Sequence, residues 1–272
     1  MKKKKYLLAV DLEGANGVVG EPFTGLKPGM AEYDKAVLKV TNEVNAAIEG
    51  LYEAGAEEVL VWDNHGNLNN LDFSKVDPRA KKVFPKSNSI GRLEFLKDGG
   101  FDAMAFIGYH AKEGAINGVL AHTYDSAGIQ YYKIDGKQVG EYDIDGMIAR
   151  AFDVPTIFLS SDDVCVNAFK ENFPDALSVI TKIGKGRNEA EFKDEQEVLN
   201  DIRKTILEAS KRIPDVASKD FPCSLEVRYT RTEVAREKMI ALNEKGIRVV
   251  YGEDAHVLIG VAKDVNELRA FL

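Results

Sequence analysis

The residues best suited to chemistry in this 272-residue chain are carboxylates and histidines at the ends of three apolar runs. Asp11 and Glu13 follow the first run, and a spacing of two puts both side chains on one face of extended backbone. His65 follows the second run, and His110 follows the third. Carboxylates and imidazoles without thiolates suit zinc or a similar divalent ion in a catalytic centre, where one carboxylate can bridge two ions.

Each of these residues also has an ordinary structural explanation. A carboxylate after a strand commonly caps a helix or closes a turn, which would account for Asp11 or Glu13 alone. A single histidine at a strand end is more often hydrogen-bonded within the fold than bound to a metal. The metal hypothesis therefore depends on the three strand ends meeting at one edge of a sheet.

The elements that must position these residues are predicted by the hydrophobic pattern. Tyr6–Val10, Val59–Trp62 and Phe101–Tyr109 are apolar runs typical of buried strands, and Glu32–Ala54 has apolar residues at helical spacing. Apolar strands that alternate with helices indicate a parallel sheet covered on both faces. We therefore predict an α/β fold, a three-layer α/β/α sandwich around a mostly parallel sheet, with ligands bound beyond the carboxyl ends of its strands.

The remainder of the chain predicts a smaller α+β portion. Asp135-Gly136 is a tight-turn dipeptide, and the strands Gln130–Ile134 and Lys137–Val139 on either side of it form a predicted hairpin. Further predicted elements are a helix from Glu141 to about Phe152, a strand Thr156–Ser160, helices Glu189–Arg212 and Arg231–Asn243, and a strand Ile247–Tyr251. We predict a single catalytic unit over residues 1–272, with a subdivision near residue 160 as the alternative.

Five sequence blocks, in the same order, resemble the D-aminopeptidases, a family of dinuclear zinc peptidases with an S-x-D-x-E-G signature. The blocks are Asp11–Gly14, Asp63–Gly66, Phe106–Lys112, Gly118–Tyr124 and Gly140–Glu141. One departure is Ala9, which stands where the signature has serine. The first block alone would be weak evidence, whereas five ordered blocks together are specific.

The resemblance implies a role for each matching residue. The metal ligands would be Asp11, Glu13, His65, His110 and Glu141, and Asp11 would bridge two zinc ions. Glu13 and His65 would complete one site, and His110 and Glu141 the other.

The remaining histidines and one carboxylate are interpreted separately. The resemblance implies that His122 lies near the metals without binding them and acts as a catalytic acid, base or oxyanion donor. The alternative is a hydrogen-bonded histidine in the turn that contains it. His256 matches no block, so we expect it to be structural. We expect Asp63 to orient the imidazole of His65, because ligating histidines usually need such a partner.

The resemblance implies a zinc-dependent aminopeptidase that carries two zinc ions and acts on short peptides with an N-terminal D-residue. It also implies a homo-oligomer, a decamer in the family type. One alternative is another two-metal amidase or a phosphoesterase, although a phosphatase is expected to place Arg or Lys beside the metals and the blocks offer only Lys112. The other alternative is a non-enzymatic flavodoxin-like binding module.

Composition excludes several other classes of function. A net charge of −8 argues against a general nucleic-acid binder, which needs a basic surface. The first apolar run ends at Asp11, too short for a signal peptide, and no run approaches the ~20 residues of a membrane helix. Cys165 and Cys223 are too few for a disulfide framework or a cysteine-rich metal site. We therefore expect a cytoplasmic protein with no nucleic-acid or membrane partner.

Overall fold

The computed structural model describes residues 4–23, 25–66, 69–83, 91–216 and 220–272. The strands are Lys5–Val10 (β1), Glu58–Asp63 (β2), Lys81–Lys82 (β3), Ala103–Ile107 (β4), Ile129–Ile134 (β5), Lys137–Val139 (β6), Thr156–Asp162 (β7), Leu177–Gly186 (β8), Glu189–Phe192 (β9), Cys223–Tyr229 (β10), Val249–Tyr251 (β11) and Val257–Ala262 (β12). The helices are Ala31–Glu53 (α1), Glu141–Arg150 (α2), Asp163–Asn172 (α3), Glu195–Ala209 (α4), Thr232–Glu244 (α5) and Val265–Phe271 (α6), with a short 3-10 helix at Glu94–Leu96.

The larger sheet brings the chemistry-bearing strand ends to one edge. Its order is β3-β2-β1-β4-β7-β8-β9, and every neighbouring pair is parallel except β8 with β9. In the central strand Val10 lies opposite both Asp63 of β2 and Ile107 of β4. Because these three strands end level with one another, the residues that follow them emerge side by side.

Side chains of the central strand alternate between two apolar layers, as a period of two requires. Leu7 and Ala9 pack with α2 and α3 on one face, whereas Tyr6, Leu8 and Val10 pack with α1 and α4 on the other. Helices therefore cover both faces of a mostly parallel sheet, which confirms the predicted α/β class.

The two helices on the second face lie in close contact. A Cβ atom at Gly50 of α1 would lie 2.3 Å from the carbonyl oxygen of Arg203 in α4, so only glycine permits this approach. Val44 and Ile206 are fully buried in the same apolar layer.

The smaller sheet is antiparallel, with the order β11-β12-β10-β5-β6, and forms the predicted α+β portion together with α5 and α6. The predicted hairpin of β5 and β6 is present. Its turn residues Asp135 and Gly136 have φ values of 49° and 79°, the left-handed conformations that a two-residue hairpin turn requires.

The predicted helix Glu189–Arg212 is wrong at its start. Residues Glu189–Phe192 form β9 instead, which pairs with β8. The helix begins after Asp194, whose side chain accepts a hydrogen bond from the backbone N–H of Glu197. The apolar residues that suggested a helix start only at Val198, so the earlier residues were free to pair as a strand.

Several elements had no prediction, among them β8, β10, β12 and α3. No helix within the described residues combines the length and the apolar character needed to cross a lipid bilayer.

Candidate metal centre

The six predicted site residues lie together at the carboxyl edge of the larger sheet. Asp11 and Glu13 follow β1, His65 follows β2 and His110 follows β4. Glu141 is the first residue of α2, and His122 lies in the segment between β4 and β5.

On one side of the cluster, His65 contacts both carboxylates that follow β1. Its Nδ1 atom lies 3.0 Å from Asp11 Oδ1 and 3.2 Å from a carboxylate oxygen of Glu13. Its Nε2 atom lies 3.4 Å from the carbonyl oxygen of Leu26, the acceptor for an Nε2–H. Proton placement at Nε2 leaves the Nδ1 lone pair directed at the two carboxylates.

The expectation that Asp63 orients the imidazole of His65 is wrong. Both Asp63 carboxylate oxygens instead accept hydrogen bonds from Asn70, and one also accepts the backbone N–H of Leu71. The Asn70 side chain in turn donates to the backbone carbonyl of His65. Asp63 therefore shapes the loop that carries His65, because its side chain turns toward backbone donors farther along that loop.

On the other side, His110 lies between Asp11 and Glu141. Its Nε2 atom is 3.2 Å from Glu141 Oε1 and 3.5 Å from Asp11 Oδ2. Its Nδ1 lies 3.0 Å from the carbonyl oxygen of Ala111, to which it donates as Nδ1–H. The two oxygens of Asp11 thus face different histidines, so this carboxylate is placed to join two groups of ligand atoms.

The ligand atoms form two overlapping sets. One atom from each of Asp11, Glu13 and His110 lies within 4.8 Å of the others, and so do atoms from His110, His122 and Glu141. These separations are short enough for each set to share an ion.

Burial of this many carboxylates perturbs their protonation. Burial and the adjacent Glu13 raise the pKa of Asp11 to about 7. Burial alone would raise the pKa of Glu141, but His110 and other cations lower it to about 2. Burial alone would lower the pKa of His110, but Glu141 and the other carboxylates raise it to about 10. The ionised cluster therefore requires compensating positive charge, from imidazolium protons or from a bound cation.

The donor set fits a divalent metal ion. His110 Nε2 is buried, and the described residues offer it no hydrogen bond of acceptable geometry. An unpartnered imidazole nitrogen between two carboxylates has the position and lone pair of a metal ligand. Oxygen and imidazole donors without thiolate are the ligand types of catalytic zinc sites.

His122 differs from His110 in exposure and in protonation. The two rings stack with centroids 4.0 Å apart, but the side chain of His122 is 16% exposed and that of His110 is sealed. His122 Nδ1 lies 2.9 Å from the carbonyl oxygen of Leu120, and Nε2 lies 3.6 Å from Glu141 Oε1. Burial and the neighbouring His110 lower the pKa of His122. His122 is therefore a neutral imidazole at the surface of the site.

A cavity of about 340 Å³ opens over the cluster and is lined by five of the six residues, all except His110. Three cationic side chains also line it: Lys27, Arg92 and Arg187. The sequence blocks indicated only Lys112, whose ammonium instead donates to the carbonyl of Gln138. None of the three lies in the five sequence blocks, so those blocks did not indicate their position in the cavity.

Arg92 anchors a buried network behind Glu141. Its guanidinium donates twice to Asp145, at 2.5 and 2.7 Å, and lies 3.9 Å from Glu141. The hydroxyl groups of Tyr109 and Tyr124 also donate to Asp145. Because Asp145 lies one turn after Glu141 in α2, this network fixes the helix end that presents Glu141.

The loop after β1 is held from behind by Lys182 of β8. The fully buried ammonium donates to the carbonyl oxygens of Glu13, Ala15 and Val18. In the same loop a Cβ atom at Gly14 would lie 1.9 Å from the carbonyl oxygen of Tyr109, so glycine is required there. These contacts fix the backbone that carries Glu13.

His256, which was expected to be structural, and Asp162, the last residue of β7, both have structural partners. The backbone N–H of His256 donates to Asp254, and its Nδ1 lies 3.0 Å from the carbonyl of Tyr229 in the smaller sheet. Asp162 caps α3 by accepting the backbone N–H of Cys165.

Comparison with known proteins agrees with this arrangement. The sequence profile of the D-aminopeptidase family matches residues 5–250. A D-aminopeptidase of Bacillus subtilis (strain 168) is 30% identical over 178 residues, which cover 65% of this chain and 63% of that relative. The solved structure described as the Zn-dependent D-aminopeptidase DppA from Bacillus subtilis, a self-compartmentalizing protease, superposes with a TM-score of 0.85. It shares 23% identity, and the match covers 98% of this chain and 94% of that one. The chain therefore belongs to the D-aminopeptidase family.

Proposed function

We propose that this chain is a zinc-dependent aminopeptidase that removes an N-terminal D-residue from short peptides, and that residues 1–272 act as one catalytic unit. The observation that carries the proposal is the position of Asp11, whose two oxygens face separate imidazoles at the mouth of a cavity. Family membership and the relatives' names support the peptidase activity and the choice of metal.

The residues that would hold two divalent ions are Asp11, which faces both groups of ligand atoms, Glu13 and His65 on one side, and His110 and Glu141 on the other. Ions held there would lower the pKa of a water and polarise a peptide carbonyl. The backbone fixes the orientation of both imidazole rings, because His65 and His110 each donate one ring N–H to a backbone carbonyl.

His122 is the proposed acid–base catalyst rather than a ligand. Its side chain lines the cavity, and the carbonyl of Leu120 accepts its Nδ1–H, so Nε2 is free to take a proton. The lowered pKa keeps the ring neutral at pH 7, the form that a general base requires. Nε2 would take a proton from the attacking water and return it to the leaving amine.

We also propose a homo-oligomer, with the decamer of the family resemblance as the specific form. The support is the description of the DppA structure as a self-compartmentalizing protease. Light scattering coupled to size-exclusion chromatography measures the mass directly, and a monomer at micromolar concentration would contradict this part of the proposal.

Metal analysis and a dipeptide screen test the proposed activity. Protein purified without chelator should hold two zinc ions per chain and cleave D-Ala-D-Ala faster than L-Ala-L-Ala. Well under one zinc per chain would refute the two-metal centre and favour a binding module. Hydrolysis of p-nitrophenyl phosphate with intact D-dipeptides would refute the peptidase and favour the phosphoesterase alternative.

A further inference from the structure

The hairpin between β8 and β9 fixes Arg187 beside the candidate catalytic histidine. The carbonyl oxygen of Arg187 accepts the backbone N–H of Leu120 at 2.8 Å, and its guanidinium donates to the carbonyl of Ala121. Next to it, the side chain of Asn188 donates to the carbonyl of Val19. The hairpin tip is thus tied to the two segments that border the cavity, one of which continues directly into His122.

The guanidinium of Arg187 has N–H donors left for a ligand. Among the ion pairs of the described residues none involves Arg187, whereas Arg92 in the same cavity is paired with Asp145. A guanidinium carries five N–H donors, and one of those on Arg187 is used on Ala121. The side chain is exposed to solvent and lines the cavity, and the ion pairs of the described residues give its charge no carboxylate partner.

The cavity offers a place for the second half of a short peptide. Three carboxylates of the metal centre lie in its lining, and Arg187 adds a cation beside His122. In the zinc-loaded enzyme those carboxylates are metal ligands and the first peptide bond lies at the metals, so the leaving half of the substrate occupies the rest of the cavity, where a cationic side chain attracts an anion. The volume of about 340 Å³ lies at the lower end of the range for small-molecule sites, about 300–1,000 Å³, and suits a dipeptide.

We propose that Arg187 binds a carboxylate on the leaving half of the substrate, so that the enzyme prefers short peptides with a free acid at that end. This inference rests on the proposed aminopeptidase function. Arginine suits the task because its planar fork can donate two parallel hydrogen bonds to a carboxylate. The hydrogen bond to the carbonyl of Ala121 holds one nitrogen of that guanidinium beside His122. The carboxylate could belong to the peptide C-terminus or to an acidic side chain, and a third substrate separates the two sources.

The test compares three substrates on the zinc-loaded enzyme: D-Ala-D-Ala, its C-terminal amide, and D-Ala-D-Glu amide, whose carboxylate is in the side chain. Arg187→Gln is compared with the wild type and with Lys185→Gln, a control on the same hairpin. Both variants replace a cation with glutamine, so the change of charge is the same. Lys185 is exposed, pairs with Glu191 at 3.4 Å and does not line the cavity, so its replacement should not affect the substrate.

For the wild type and Lys185→Gln we expect a KM for D-Ala-D-Ala at least about tenfold below that of its amide, because a charge-assisted hydrogen bond is lost with the acid. Arg187→Gln should raise the KM of the acid to that of the amide and leave the KM of the amide unchanged. The kcat should change much less than KM. If D-Ala-D-Glu amide instead has the low KM, and Arg187→Gln raises it, Arg187 still binds a carboxylate, and that carboxylate belongs to the substrate's side chain.

A reduced dipeptide, in which CH2–NH replaces the amide bond, provides a readout without turnover. Calorimetry should show at least about tenfold weaker binding of this compound to Arg187→Gln than to Lys185→Gln. If Arg187→Gln loses zinc, Arg187→Lys gives the same comparison with the charge retained and the fork removed. An unchanged ratio of acid to amide in an Arg187 variant with full zinc overturns the proposal. Failure of the underlying function is distinct, because the wild type would then cleave none of the three substrates.

Discussion

Replacing the buried Lys182 with methionine should loosen the loop that carries Glu13. The Lys182 ammonium lies 2.5, 2.9 and 2.6 Å from the carbonyl oxygens of Glu13, Ala15 and Val18. Methionine nearly matches the length of the lysine side chain but offers no donor, so all three carbonyls lose this partner together. The loop would then move to find water, and Glu13 would move with it.

The magnitude follows from those three contacts. Each unsatisfied buried carbonyl lowers the free energy of unfolding by about 1–3 kcal/mol. Because removal of the buried ammonium also relieves the cost of its own desolvation, the net loss for the three carbonyls is about 3–5 kcal/mol. For a chain of this size that loss lowers the Tm by roughly 6–20 °C. Displacement of a ligand's supporting contacts typically weakens metal binding about 10–100-fold, and we expect the lower end because Glu13 itself is retained.

Scanning calorimetry of the metal-free and zinc-loaded protein measures the Tm, and competition with a chromophoric chelator measures zinc affinity. Lys193→Met is the matched control, because this half-buried lysine donates to a single carbonyl, that of Ile180, at 3.2 Å. We expect the control to stay within about 1 kcal/mol of the wild type. If Lys182→Met and Lys193→Met agree in Tm and in zinc affinity, the assigned role of Lys182 is wrong.

Three further substitutions separate the roles of individual side chains. His110→Ala should weaken binding of one zinc at least about 100-fold and abolish turnover, and metal content near wild type would exclude it as a ligand. His122→Ala should keep both ions and lower kcat about 10²–10⁴-fold, with His256→Ala as the unaffected control; loss of an ion would make His122 a ligand. Burial raises the pKa of Glu43 from 4.5 to about 7. The folded state therefore holds this proton to higher pH than the unfolded state, and the stability that it contributes is lost as pH rises through that window. Glu43→Gln should gain Tm relative to the wild type from pH 5 to pH 8, whereas the exposed Glu49→Gln should not; parallel pH profiles would contradict the assignment.

The sequence by itself determined the architecture of the edge where the site lies. Apolar runs at β1, β2 and β4 predicted parallel strands, and the residues after each run predicted which side chains would meet there. This worked because hydrophobic period and strand ends are local features, and because parallel strands in one sheet end at the same edge. The resemblance then added Glu141 and His122, which lie after β4 and could not be placed by strand ends alone.

Only the tertiary structure decided which residues support and surround the cluster. Lys182 reaches the loop after β1 across 169 residues of sequence, and Arg187 reaches Ala121 across 66. Asp63 turned away from the imidazole of His65 because Asn70 offered nearer donors. Residues 189–192 became a strand because β8 offered them a hydrogen-bonding partner. Each outcome depends on contacts between distant segments, and such contacts form only when the sheet and its loops are assembled. Local sequence thus indicates which residues can be metal ligands. The charged side chains that support the ligands or face a substrate, such as Lys182 and Arg187, are identified only by the tertiary structure.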